Sequence, residues 1–267
     1  MRRLSVLFSL MAALVVTGCS SQSEEVNVYS ARKEALIKPL LDRFTSETGI
    51  TVNLITGSAD ALVERMKAEG EHSPADVLIT TDAGRLYRAQ QEGQLATTES
   101  DTLAEQVPEA LRDPEGHWYG LSVRAPVVVY APDRVDPSEL STYEALADEK
   151  WDDRICIRSS DNIYNQSLTA SLIAHNGEAD TEQWAEGLVS NMARDPVGGV
   201  RDQIKALAAG ECDIAVVNTY YLGMMQGGDD ADAREIAEQV AVFWPNQDGR
   251  GAHINISGAG VATNAPN

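Results

Sequence analysis

From residue 26 onward the chain alternates short apolar runs with helical segments that end on glycine, and this alternation constrains the fold more than any other feature. Val26-Asn27-Val28-Tyr29 reads as a strand. A helix follows with Leu36, Ile37, Leu40, Leu41 and Phe44 on one face, Pro39 in its early turns and Gly49 at its end. Residues 51–55 read as a second strand. Asp60 opens a helix carrying Leu62, Val63 and Met66 that closes at Gly70. Residues 75–80 form a buried strand, and residues 82–91 a third helix ending at Gly93. Strand and helix taking turns in this way predict an α/β fold, a mostly parallel sheet with helices on both faces.

The pattern changes after the turn Asp113-Pro114-Glu115-Gly116-His117. Residues 118–122 and 127–130 read as strands, which predicts a crossing between two lobes. A second α/β unit begins there: a helix at 142–147, a strand at 154–158, and helices at 164–175, 181–192 and 201–209. A strand at 213–218, helices from Tyr220 and at 232–238, and a strand at 239–243 complete it and return the chain to the first lobe. The expected division is 26–123 with 244–267 for the first lobe and 124–243 for the second. Residues 258–262 read as a mid-domain strand and 264–267 as a helix start, so the natural chain is expected to continue past Asn267.

The first residues stand apart from this fold. Arg2 and Arg3 precede an apolar run from Leu4 to Val16, and Val16-Thr17-Gly18-Cys19 follows. The run is shorter than the roughly 20 residues that span a membrane. Residues 1–19 therefore read as a signal peptide with a lipobox, Cys19 as the lipid-bearing mature N-terminus, and 20–25 as a tether. A plain cleaved signal with an incidental cysteine is the alternative. Lipid on Cys19 is the only membrane attachment expected. A formal charge of −20 argues against nucleic acid and anionic membrane surfaces as partners. Export places Cys156 and Cys212 in an oxidising space, where they either form a disulfide or remain buried thiols; the sequence leaves both open.

No nucleophile elbow, phosphate loop, HExxH, CxxC or dinucleotide fingerprint occurs, and the four histidines lack metal-ligand spacing, so no enzyme is expected. Tyrosine carries the chemistry instead. Tyr220 and Tyr221 directly follow the strand at 213–218, where open α/β sheets place their ligands. Tyr164 follows the strand at 154–158 after the polar turn Ser159-Ser160-Asp161-Asn162. A phenol ionises near about pH 10 in water, but a trivalent hard cation draws it into the phenolate form. Three phenolates neutralise such an ion charge for charge. A Tyr-Tyr pair by itself is ordinary packing.

Several long stretches add a resemblance. Ser73-Pro74-Ala75-Asp76-Val77-Leu78-Ile79-Thr80, Leu111-Arg112-Asp113-Pro114-Glu115-Gly116, Ile157-Arg158-Ser159-Ser160 through Asn162-Ile163-Tyr164-Asn165-Gln166-Ser167, Asn218-Thr219-Tyr220-Tyr221 and Phe243-Trp244-Pro245-Asn246-Gln247 are similar to the ferric-iron-binding periplasmic proteins of ABC importers. The likeness runs over residues 25–267 and is closest to the branch that uses several tyrosines. It implies a two-lobed periplasmic binding protein type II fold with crossing strands. It also implies capture of Fe³⁺ by Tyr164, Tyr220 and Tyr221, with a synergistic anion such as carbonate, and delivery to an ABC permease. A monomer at the periplasmic or cell-surface side of a bacterial membrane is expected. Arg124 falls where the family places an arginine near that anion, with an inter-lobe salt bridge as the other role, and Asn218 and Ser160 are candidate anion donors. The run Tyr29-Ser30-Ala31-Arg32-Lys33-Glu34 departs from the family, since Lys33 and Glu34 stand where relatives carry histidine and tyrosine ligands. The same fold binding a small anion or organic solute through Arg124, Arg158 and the Ser159-Ser160 turn is the alternative.

Overall fold

A computed structural model describes residues 24–267. The signal peptide, the lipobox at Cys19 and most of the tether lie outside the described residues.

The first lobe is built from β1 (Glu25–Ser30), α1 (Glu34–Thr48), β2 (Thr51–Thr56), α2 (Ala59–Glu69), β3 (Val77–Thr81), α3 (Ala83–Gln91), the short α4 (Asp101–Gln106) and β4 (Tyr119–Arg124). The second holds β5 (Pro126–Tyr130), β6 (Ile155–Cys156), α5 (Ile163–Asn176), α6 (Glu178–Ser190), α7 (Val200–Ala208), β7 (Ile214–Asn218), α8 (Thr219–Gly227), α9 (Ala231–Glu238) and β8 (Ala241–Phe243). The final strand, β9 (Asn255–Val261), returns to the first sheet. Strand orders are β2-β1-β3-β9-β4 and β6-β7-β5-β8. In each sheet one strand runs against the rest, β9 in the first and β5 in the second.

Those reversed strands belong to the two connections between sheets. Only Ala125 separates β4 from β5, and Arg124 still pairs with Asn255 in the first sheet. The second connection runs from the end of β8 to the start of β9.

Alternation along the strands explains the layers. In the second sheet Val127, Val129, Ala215 and Val217 face Ile204 and Leu207 of α7, while Val128, Ile214 and Val216 face Leu168 and Leu172 of α5. In the first sheet Tyr29 and Leu78 pack with Leu62, Val63 and Met66 of α2, and Val28 and Ile79 pack with Ile37 of α1. Gly258 and Gly260 let β9 lie close to its neighbours, because a methyl at either would overlap a backbone carbonyl of Tyr119 or His117.

Some local expectations change. Of the five apolar residues expected on one face of α1, only Ile37 is fully buried, and Leu40 is 63% exposed. The helix lies along the β1–β2 edge, and Ile37 and Leu41 meet the sheet while Leu40 points elsewhere. The strand expected at 154–158 shrinks to Ile155–Cys156, and the helix expected at 142–147 is a 3₁₀ turn, Glu144–Ala147. No helix starts at 264–267. Cys156 and Cys212 are joined as a disulfide, with Cα atoms 5.8 Å apart.

Candidate functional site

The three tyrosines occupy the first turns of two helices. Asn218 ends β7 and Thr219 begins α8, so the chain passes from strand to helix without a loop. That bend puts Tyr220 and Tyr221 on one side, their ring centroids 4.2 Å apart and tilted by 31°. Tyr164 is the second residue of α5, where the Asn162 side chain caps the helix by accepting the Tyr164 amide at 3.1 Å. The Tyr164 and Tyr220 hydroxyls lie 3.2 Å apart. All three rings are half-buried. Positive helix ends favour negative charge at such positions.

The phenols line a cleft of about 380 Å³. First-lobe residues face them, including Arg32, Lys33, Thr81, Ser122 and Ser257, and Met224 adds a thioether. Arg124 lines it as well. No carboxylate is among the lining residues. Burial pushes the Tyr220 phenol well above its ordinary value, and the hydrogen bond with Tyr164 adds to the shift. Burial raises Tyr221 too, against the pull of its bond with Tyr220 and the nearby Arg158 charge. Both shifts hold Tyr220 and Tyr221 in the neutral form without a cation, and a strongly charged cation supplies what ionises them.

The expected anion donors are dispersed. Arg124 is buried, and its guanidinium stacks 4.9 Å over the Tyr164 ring. Its Nη1 donates to the Ile256 carbonyl at 2.6 Å and its Nη2 to Asp82 Oδ2 at 2.9 Å. Asp82 was not legible from the sequence as a site residue. Its Oδ2 also accepts from Ser167 Oγ of α5 at 2.6 Å and from Asn255 Nδ2 at 2.9 Å. One buried carboxylate thus joins both connections between the sheets to the helix that carries Tyr164. Asp82 does so at φ 89°, a conformation that costs a non-glycine residue about 1–3 kcal/mol and persists because its surroundings fix it. Asn218 is buried at the end of β7, outside the cleft lining. Ser160 is exposed and lines a different cavity, together with Arg158, whereas Arg124 lines the tyrosine cleft. Lys33 reaches the cleft; Glu34 begins α1 and is not in its lining.

The profile of the family described as Bacterial extracellular solute-binding protein matches residues 72–266. This chain belongs to that family. Within the solute-binding proteins, it is 51% identical over 246 residues to Iron uptake protein A1 of Synechocystis sp., covering 92% of this chain and 68% of the relative. It is 28% identical to the Fe(3+)-binding periplasmic protein of Serratia marcescens, covering 96% of this chain and 74% of that one. Among solved structures, a Trichodesmium protein in complex with iron and citrate ligands superposes with a TM-score of 0.86 at 52% identity, over 91% of this chain and 77% of that one. The ferric binding protein from Campylobacter jejuni gives a TM-score of 0.86 at 37% identity over the same shares. The two helix-flanked sheets are the type II binding-protein fold of these structures. Among the described residues no helix is long and apolar enough to cross a membrane.

Proposed function

We propose that this solute-binding protein captures ferric iron on Tyr164, Tyr220 and Tyr221 and carries it to an ABC permease. The reading rests on the 3.2 Å approach of the Tyr164 and Tyr220 hydroxyls, from two separate helices, beside Tyr221. Three phenolates cancel the charge of Fe³⁺, and hard oxygen donors suit it. The relatives named for iron uptake and ferric binding point the same way.

The first-lobe side of the cleft then needs an anion. Arg124 is neutralised by Asp82, but Arg32 and Lys33 have no carboxylate within salt-bridge distance among the described residues. Two free cations beside a neutral iron–phenolate cluster match a dianion such as carbonate, or a polycarboxylate like the citrate of the Trichodesmium complex. Asn218 and Ser160 would join this anion only by rearrangement; Lys33 takes the place of a histidine ligand as a counter-charge. Lipid on Cys19 would hold the protein at the membrane where the permease works, and a monomer meets the needs of such delivery.

The cationic lining also supports a second reading, in which a small anion alone is the solute. Titration with ferric salt and bicarbonate separates the two. The iron reading predicts one iron per chain and a visible phenolate-to-iron absorption. An anion binder takes up citrate with the same affinity whether or not iron is present and stays colourless.

A further inference from the structure

We infer that the second lobe carries a separate site, between α5 and α6, for a monocarboxylate with an apolar body, anchored by Arg158. The cavity there measures about 390 Å³ and shares no lining residue with the tyrosine cleft. That volume falls in the range of small-molecule sites, about 300–1,000 Å³. Leu168 of α5, Trp184 and Leu188 of α6, and Met192 beyond it form apolar walls, and Val189 stands at the open side, 62% exposed.

Several guanidinium nitrogens on its lining lack hydrogen-bond partners. Arg158 Nε, Arg194 Nε and Arg194 Nη1 are three of the five buried side-chain nitrogens and oxygens without a hydrogen bond among the described residues, so the deficit concentrates at this cavity. A buried donor left unsatisfied is costly, and a ligand or ordered water is expected to meet it. The two arginines differ. Arg194 Nη2 donates to Gln203 Oε1 at 3.1 Å, and its Nε, not aligned for a hydrogen bond, still lies 3.1 Å from the Glu211 carboxylate, so its charge is balanced. The Arg158 guanidinium makes no hydrogen bond or ion pair with any described residue.

One unbalanced guanidinium calls for one negative charge, and its planar fork fits a carboxylate with two parallel hydrogen bonds. Asp195, also in the lining, opposes a second charge on the ligand. The apolar walls favour a hydrocarbon or aromatic body over a fully hydrated oxyanion. Citrate fails both criteria, and phosphate, a fully hydrated oxyanion, fails the second.

Calorimetry on the iron-free protein, with hexanoate as the probe and inorganic phosphate as the comparison, tests the assignment. One hexanoate per chain should bind saturably, and phosphate should not compete. Arg158→Gln should weaken hexanoate by about tenfold or more, the loss of a charged hydrogen-bonded pair. Val189→Asp, which changes an exposed residue and leaves the fold and iron uptake intact, should weaken it similarly by repulsion. Tyr220→Phe should leave hexanoate binding unchanged, so the carboxylate site and the ferric site fail or succeed separately. Absence of saturable binding up to about 10 mM, or binding indifferent to both Arg158→Gln and Val189→Asp, would overturn the site. Phosphate binding as tightly as hexanoate would overturn its ligand class.

Discussion

At the residue scale the proposed chemistry lies in three phenols, two of which, Tyr220 and Tyr221, sit where burial opposes ionisation until a cation arrives. Burial raises Tyr220 and Tyr221, so both are neutral in the iron-free protein at ordinary pH. Ferric binding must then expel a proton from each ligand, and affinity must fall as pH falls. Loading at pH 7 in weak buffer should release about three protons per iron from the phenols, beyond those lost by the hydrated metal and the anion. Single Tyr164→Phe and Tyr220→Phe variants should each release one proton fewer and bind iron at least about tenfold more weakly. Stoichiometric pH measurement during loading checks both. The tyrosines were legible in the sequence because Tyr220 and Tyr221 directly follow a strand and Tyr164 follows one across a short polar turn. Asp82 was not, since an aspartate before a helix reads as an ordinary cap. Its links to Ser167 and Asn255 span sequence separations of 85 and 173 residues, which no local pattern records.

At the element scale the long, periodic elements were readable and the short ones were not. Helices α5, α7 and α9 fall within three residues of expectation at each end, because apolar spacing fixes a helix of several turns. The six-residue α4 has no buried residue and therefore no apolar stripe to detect. The strand β6 is cut short because Ile157 and Arg158 leave the sheet for the turn before α5. The 3₁₀ turn at Glu144–Ala147 is held by partners far along the chain. Glu144 accepts from Asn176 at the end of α5 and from Asn246 and Arg250 in the second connection. Burial works to raise its carboxyl, but these three donors outweigh it and lower the pKa from 4.5 to about 2. A depressed folded-state pKa stabilises the fold above the unfolded value and ceases to do so as pH falls through the folded one. Glu144→Gln should therefore lower stability at pH 7 by about 1–3 kcal/mol. The gap from the parent should narrow between pH 4.5 and about 2, as urea unfolding over that range would show.

At the scale of the whole molecule, two sheets are joined by one very short connection and one longer one, and the tyrosine cleft lies where first-lobe cations face second-lobe phenols. Asp82 ties that junction together. Breaking a buried, hydrogen-bonded ion pair by removing one partner costs about 3–5 kcal/mol. Asp82→Ala should lower stability by that order in thermal unfolding, and iron should dissociate faster because Arg124 over Tyr164 and Ser167 on α5 both lose their common anchor. The two-sheet architecture and its crossing were legible from the strand–helix rhythm, whereas the reversal of β5 and β9 was not. Strand direction depends on which neighbour a strand meets, and both strands follow connections between lobes.

The most direct test of the ferric assignment is anomalous diffraction from crystals of the protein loaded with iron and bicarbonate. A single strong iron peak bonded to the hydroxyls of Tyr164, Tyr220 and Tyr221 is the expected result. Among the described residues, Asp113, Glu115 and His117 form a competing group whose ligand atoms lie within 4.8 Å of one another. An iron peak there, or anywhere else with the tyrosine cluster empty, would contradict it.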